Sequence, residues 1–164
     1  MNLFIIRHAW AGQHGDPAYP DDSLRPLTDE GRKRFARMVE VLVPRGLTPQ
    51  LIVTSPMLRC VQTAEILAEA LGKKTKIVQR KELLPGGDPK RLLAWTQEQC
   101  SGLEQVAWVG HAPDVGYLVA SLIGLENGWL DLKKGAVTAT GFPQLPEFGC
   151  GELQWLVTAK ILGL

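Results

Sequence analysis

The sequence predicts an α/β fold, in which largely buried strands are covered by amphipathic helices. Three apolar runs, at 3–6, 51–53 and 106–109, are short and continuous, as in strands that are buried on both faces. Later stretches place apolar residues three and four positions apart, which is the spacing of a helix with one buried face. In open α/β sheets ligands bind at the carboxyl ends of the strands, so we expect the functional site at those strand ends.

Three further segments complete the predicted strands. A short strand is expected over Lys76 to Gln79. Late strands are expected over Leu132 to Thr140 and Leu153 to Val157, antiparallel or at an edge and joined by a turn rich in Gly and Pro.

Two helices are predicted before residue 73. Thr28 can cap the first, which Pro44 and Gly46 end. For the second, Ser55 is the expected N-cap and Pro56 the first helical residue. The expected buried stripes are Phe35, Met38, Val39, Leu42 and Val43 in the first helix, and Val61, Ala64, Leu67, Ala68 and Leu71 in the second, which Gly72 ends.

Two more helices are predicted downstream. Asp88 and Pro89 are the expected N-cap and first residue of the third, and Pro113 suits the start of the fourth. The expected apolar residues are Leu92, Leu93 and Trp95 in the third helix, and Val115, Leu118, Val119, Leu122 and Ile123 in the fourth.

Length and composition indicate a single domain over 1–164. The net charge is +1, so the chain lacks the basic field of a nucleic-acid binder. No apolar run approaches ~20 residues and the N-terminus lacks the pattern of a signal peptide, so we expect no membrane partner and a cytoplasmic location. Cys60, Cys100 and Cys150 are widely spaced, which argues against a disulfide framework or a structural zinc site.

Two arginines and two histidines follow the predicted strands. Arg7 and His8 follow the first, Arg59 lies in the first turn of the helix after the second, and His111 follows the strand at 106–109. Arginines bind oxyanions, and a neutral imidazole can act as a nucleophile. The four groups therefore predict a pocket for a tetrahedral anion. Alternatively, Arg7 and His8 simply mark the polar end of a strand.

Two other residues are weaker candidates. Glu82 is an acid just after a strand and ahead of a tight loop, so it is either a general acid or a carboxylate at the rim. The loop over 12–26 is long for a connection, and Arg25 within it is a candidate for substrate contact at the rim.

The motifs resemble the histidine phosphatase superfamily, whose members have a phosphoglycerate-mutase-like fold. The matching segments are Arg7-His8, the stretch from Thr54 to Ala64 that reads Thr-Ser-Pro-x-x-Arg and then Gln-Thr-Ala, and the Val-Gly-His-x-Pro of 109–113. The short chain, and Ala9 where a glycine is common, are similar to the compact bacterial phosphohistidine phosphatase branch. The resemblance implies a three-layer α/β/α sandwich on a mixed, mainly parallel sheet of about six strands.

The resemblance also implies roles for the candidate residues. His8 is the expected nucleophile and becomes phosphorylated, while Arg7, Arg59 and His111 hold the phosphoryl oxygens. Glu82 matches the position from which larger members supply a proton, although a phosphoramidate needs it less. His14 stands where the mutase branch usually has an asparagine.

His8 must be neutral at its attacking nitrogen. We therefore expect a partner, most simply a backbone carbonyl, on its other ring nitrogen. The surrounding arginines should lower the pKa of His8.

We expect a phosphatase that needs no metal or other cofactor, acts as a monomer, and hydrolyses phosphohistidine on a phosphorylated protein. Alternatives are hydrolysis of small phosphate esters, a mutase, and a module that binds phosphate without turnover. No Cys-x₅-Arg loop, P-loop or H-E-x-x-H spacing occurs in the chain.

Overall fold

The fold is a six-stranded mixed sheet with two helices on each face. The computed structural model describes residues 1–72 and 75–164. The strands are β1 (Asn2–Arg7), β2 (Leu51–Thr54), β3 (Lys76–Gln79), β4 (Gln105–Gly110), β5 (Val137–Gly141) and β6 (Glu152–Val157). The helices are α1 (Asp29–Leu42), α2 (Leu58–Ala70), α3 (Pro89–Gln99) and α4 (Asp114–Leu122). Short 3₁₀ turns at Asp22–Leu24 and Lys81–Leu83 lie in the connections.

The sheet order is β3-β2-β4-β1-β5-β6. The first four strands in this order are parallel, while β5 and β6 pair antiparallel and β6 is at the edge. The mixed, mainly parallel sheet is as predicted. Because β1 lies between β4 and β5, early and late parts of the chain share the centre of the sheet.

Alternation along β1 separates two apolar layers. Phe4 and Ile6 pack with residues of α1 and α2, whereas Leu3 and Ile5 pack with residues of α3 and α4. Strand residues point to opposite faces in turn, so a fully apolar strand fills both layers. The three-layer sandwich is confirmed. No helix in the described part of the chain is long and apolar enough to cross a membrane.

Several predicted element ends are confirmed. The hydroxyl of Thr28 accepts a hydrogen bond from the backbone N–H of Gly31 and caps α1. Asp88 likewise accepts from Lys90 and Arg91 at the start of α3. These caps are local interactions, which explains why a short sequence pattern predicts them.

The predicted start of α2 is wrong. The helix begins at Leu58, and Ser55 with Pro56 lies in the turn before it. The hydroxyl of Ser55 pairs with His111 and also accepts from the backbone N–H of Met57. The buried stripe differs as well and consists of Arg59, Cys60, Thr63, Ala64 and Leu67.

The predicted start of the late strand is also wrong. β5 begins at Val137, and the residues before it form a turn in which Gly135 has a φ of +72°. The backbone N–H of Gly135 donates to the carbonyl oxygen of His8 at 3.1 Å, which draws this turn toward the end of β1.

Candidate active site

The parallel pairing of β1 with β4 brings two histidines together. Arg7 is opposite Gly110 in the register, so His8 and His111 both lie one residue beyond the ends of adjacent strands. Their ring centroids are 5.3 Å apart. β2 is the other neighbour of β4, and the turn after it leads into α2, whose second residue is Arg59. Sheet order thus assembles residues that are far apart in the chain.

His8 is buried and held in one orientation. Its Nδ1 lies 2.7 Å from the carbonyl oxygen of Ala9, which can only accept, so Nδ1 carries the proton and donates it. The lone pair is therefore on Nε2. The backbone N–H of Ala9 donates to the hydroxyl of Thr63, which ties this turn to α2. The predicted backbone-carbonyl partner is thus confirmed as that of Ala9.

The pKa of His8 is lowered to about 3, mainly because burial disfavours the charged ring. The hydrogen bond to Ala9 opposes this shift, while the nearby His111, Arg59 and Arg7 add to it. The predicted direction is confirmed, although burial is the larger cause. At neutral pH the imidazole of His8 is uncharged.

His111 is also neutral and has a fixed partner. Burial, reinforced by the positive charge of Arg59, lowers its pKa to about 4. Its Nε2 lies 2.9 Å from the hydroxyl oxygen of Ser55 and 3.4 Å from the sulfur of Cys60. Burial raises the pKa of the Cys60 thiol to about 12, so it stays protonated there.

Arg59 is anchored to the loop before α1. Its Nη1 donates to the carbonyl oxygen of Asp22 at 2.8 Å, and its Nη2 lies 3.1 Å from a carboxylate oxygen of the same residue. Asp22 also accepts from Nε of Arg25 at 2.8 Å. Asp22 was not among the residues predicted from the sequence. The signal that could have found it is an aspartate three residues before Arg25.

Arg7 is the last residue of β1 and directly precedes His8. Its Nη1 donates to the carbonyl oxygen of Leu132 at 2.7 Å. The Nε atoms of Arg7 and Arg59 are both buried without a hydrogen-bond partner among the described residues. Buried guanidinium donors of this kind suit an oxyanion. Burial lowers the pKa of both groups, but a guanidinium remains charged in proteins.

Arg25 is buried, so its expected place at the rim is wrong. Its Nη1 donates to the carbonyl oxygen of Gly12, and its Nε is taken by Asp22. The exposed ring of His14 contacts the same carboxylate at 3.0 Å. The Asp22 carboxylate thus contacts Arg25, Arg59 and His14.

Glu82 lies beside His111 but is paired to Arg80. The two side chains form a bidentate ion pair. Nε and Nη2 of Arg80 donate to the two carboxylate oxygens of Glu82 at 2.9 and 2.6 Å. Burial works to raise the pKa of Glu82, but its own backbone N–H and Arg80 outweigh that effect and lower it. At neutral pH this carboxylate is ionised and has no proton to give.

An apolar cleft of about 190 Å³ runs from His111 toward Glu82. Leu83, Val115 and Leu118 are among its apolar lining residues, and Asp114 adds a second carboxylate. Across residues 1–72 and 75–164, no three His, Cys, Asp or Glu side chains are grouped as metal ligands are.

Comparison with known proteins identifies the class. The sequence profile of the histidine phosphatase superfamily (branch 1) matches residues 3–84. The phosphohistidine phosphatase SixA of Escherichia coli (strain K12) is 32% identical over 158 residues, which cover 94% of this chain and 92% of that protein. The chain belongs to the histidine phosphatase superfamily, as its motifs predict, and is a phosphatase of the hydrolase class.

Other similar proteins extend over the whole chain. An uncharacterised protein of Picosynechococcus sp. (strain ATCC 27264 / PCC 7002 / PR-6) is 37% identical over 167 residues, covering 99% of each chain. The structure of the protein histidine phosphatase SixA complexed with tungstate has a TM-score of 0.85 and 29% identity, again covering 99% of each chain. The alpha-ribazole phosphatase of Shigella flexneri shares the fold, with a TM-score of 0.73, 17% identity and 97% of each chain covered.

Proposed function

We propose that this phosphatase hydrolyses phosphohistidine on proteins through a covalent intermediate on His8, within one catalytic domain spanning 1–164. The observation that carries the proposal is the state of the His8 ring. Its Nδ1 is held by Ala9, and its Nε2 keeps a lone pair. A module that only binds phosphate has no need of a nucleophile prepared in this way.

In the first step, Nε2 of His8 forms a bond to phosphorus as the bond from phosphorus to the substrate nitrogen breaks. Arg7 and Arg59 stabilise the phosphoryl oxygens, which carry the transferred negative charge. Since the hydroxyl of Ser55 can donate to Nε2 of His111, Nδ1 of that ring is the donor to a phosphoryl oxygen.

In the second step, water attacks phosphorus and the bond to Nε2 of His8 breaks. The proton lost by water goes to phosphate or solvent, and the imidazole of His8 returns to its neutral form. The two guanidinium groups supply the positive charge that this step needs, so the proposed route runs without a metal.

The leaving group favours phosphohistidine as the substrate. An alkoxide from a phosphate ester needs a proton as it departs, and the nearby Glu82 is ionised and bound to Arg80. An imidazole takes its proton more readily, so it does not depend on a general acid in the protein. We therefore propose that Glu82 orients Arg80 and the cleft wall, and that Arg25 positions Asp22 and through it Arg59. The substrate named for the E. coli relative is consistent with this choice.

A second candidate function is hydrolysis of small phosphate esters. The apolar cleft beside His111 favours it, because its size suits a small organic leaving group rather than a protein segment. The shared fold of an alpha-ribazole phosphatase points in the same direction.

The test is to trap the intermediate. After brief incubation with a ³²P-labelled phosphohistidine peptide, the wild type should carry label that is stable in alkali and labile in acid. His8→Ala should carry none, and His14→Ala, which alters an exposed histidine, should carry as much as the wild type. Turnover of phosphohistidine and of phosphate monoesters should be unchanged by EDTA. Equal labelling of His8→Ala would overturn the proposal.

A further inference from the structure

A basic cleft adjoins the anion pocket on the side of β1. Its charged members are Arg7, Arg34, Lys133, Lys134, Lys160 and Asp131. It is open and has a volume of about 640 Å³, far more than a phosphate group fills. We propose that this cleft binds an acidic segment of the protein that carries the phosphohistidine. The inference rests on the proposed function and specifies its substrate.

The charge of the cleft is exceptional for this chain. Five cations and one carboxylate line it, a surplus of +4, whereas the whole chain has a net charge of +1. The carboxylate, Asp131, is itself paired with Lys133. Among the residues that the structure describes, no carboxylate lies within ion-pair distance of Lys134 or Lys160. The cleft therefore carries a positive field that its own acids do not cancel.

One wall of the cleft is rigid. The guanidinium of Arg34 lies 4.3 Å from the centroid of the Trp10 ring, and its Nη2 donates to a main-chain oxygen of Leu164. Its Nε is buried with no partner in the described part of the chain. An arginine stacked and anchored in this way presents a fixed face to a carboxylate.

Arg7 connects the cleft to the chemistry. It lines the cleft, it lowers the pKa of His8 through its charge, and its hydrogen bond to Leu132 holds it between the two sites. The backbone of Gly135, next to Lys134, contacts His8 directly. Residues that flank a phosphohistidine in the anion pocket can therefore reach this cleft past Arg7.

The chemistry of the cleft selects the occupant. Exposed lysines are strongly hydrated point charges on flexible stems, which attract a diffuse acidic surface rather than clamp one small anion. A small phosphate ester would fill the anion pocket and leave Lys134 and Lys160 without a contact. An acidic peptide that flanks the phosphohistidine engages both sites at once.

The test compares two synthetic phosphohistidine peptides of equal length, one with glutamates around the phosphohistidine and one with glutamines. At low ionic strength the wild type should hydrolyse the glutamate peptide with a kcat/KM about tenfold higher, chiefly through KM. This preference should vanish at high salt, because exposed charges are then screened. Hydrolysis of the free phosphohistidine amino acid serves as the measure of intact chemistry.

Variants assign the preference to the cleft. The double variant Lys134→Glu/Lys160→Glu should abolish the preference for the glutamate peptide while leaving hydrolysis of the free phosphohistidine amino acid unchanged. Lys160→Glu alone, which leaves the Gly135–His8 contact beside Lys134 unchanged, should weaken the preference. The matched control, Arg45→Glu with Lys76→Glu, makes the same change of charge outside the cleft, at an exposed residue after α1 and at the start of the edge strand β3, and should keep the preference.

Three results would overturn the inference, and they are distinguishable. Equal hydrolysis of both peptides by the wild type refutes acidic docking and leaves the proposed function standing. A preference that survives the double reversal places the docking surface elsewhere. Failure to hydrolyse any phosphohistidine, with phosphate monoesters turned over, refutes the proposed function and the docking with it.

Discussion

Replacing Glu82 by glutamine separates its two possible roles. As a proton donor, Glu82 would contribute about 10²–10⁴ in rate for a leaving group that needs a proton, or roughly 3–5 kcal/mol of the barrier. As the partner of Arg80, it contributes the ion pair seen in the structure, whose Nη2–Oε1 distance is 2.6 Å and whose side chains are 29% and 17% exposed. An ion pair open to solvent to this extent contributes about 1 kcal/mol to stability and nothing to proton transfer.

We expect Glu82→Gln to keep its kcat within about threefold on phosphohistidine, since the amide oxygen still accepts from Arg80. The assay compares phosphohistidine, p-nitrophenyl phosphate and an alkyl phosphate such as a phosphoserine peptide. The p-nitrophenolate leaves without a proton, whereas the alkoxide does not. Glu104→Gln is the matched control, because Glu104 is exposed and directly precedes β4, at the amino ends of the parallel strands.

The pattern across the three substrates decides the role. If Glu82→Gln retains the same fraction of wild-type kcat on all three substrates, Glu82 acts through its ion pair with Arg80. A loss of a hundredfold or more on the alkyl phosphate, with p-nitrophenyl phosphate spared, would show that Glu82 gives up a proton and that our reasoning from the Arg80 pair is wrong.

Three further predictions concern stability. Asp22→Asn removes the carboxylate that accepts from the buried guanidinium groups of Arg25 and Arg59, at 2.8 and 3.1 Å. It should lower the free energy of unfolding, measured by urea denaturation, by about 1–3 kcal/mol. An unchanged free energy of unfolding would mean that the main-chain hydrogen bonds of the two arginines are enough to hold them. In the folded protein the pKa of His8 is lowered to about 3 and that of His111 to about 4, whereas an unfolded histidine titrates near 6.5. Below pH 6.5 the unfolded state therefore binds more protons, and stability should fall as pH drops toward 4, by up to about 1.4 kcal/mol per pH unit for each ring. Unfolding curves at several pH values measure this slope, and NMR signals of the two rings that titrate between pH 6 and 7 would contradict it. Gly87→Ala should lower the free energy of unfolding by about 2 kcal/mol, because the added Cβ would clash with the backbone of Glu82 in the preceding 3₁₀ turn. Gly12→Ala is the control: Gly12 has open space around it, so the same denaturation assay should show no change.

The sequence alone predicts the buried strands, the N-caps of α1 and α3, and the four groups at the strand ends. The apolar runs through β1 and β4 determine which segments are buried on both faces, and strand polarity then puts His8 and His111 at one edge. These features are local or follow from a general rule of α/β sheets. For this reason the fold class and the four central residues could be placed before any coordinates.

The tertiary structure decided which partner each polar side chain takes. Ser55 looks like a helix cap in the sequence, but its hydroxyl pairs with His111, 56 residues away, because β2 lies beside β4. Asp22 reaches Arg59 across 37 residues. Such contacts depend on strand order and turn geometry, which a single sequence does not encode in any short pattern. The charge state of the site follows from them, since burial and neighbouring charges exist only in the folded chain.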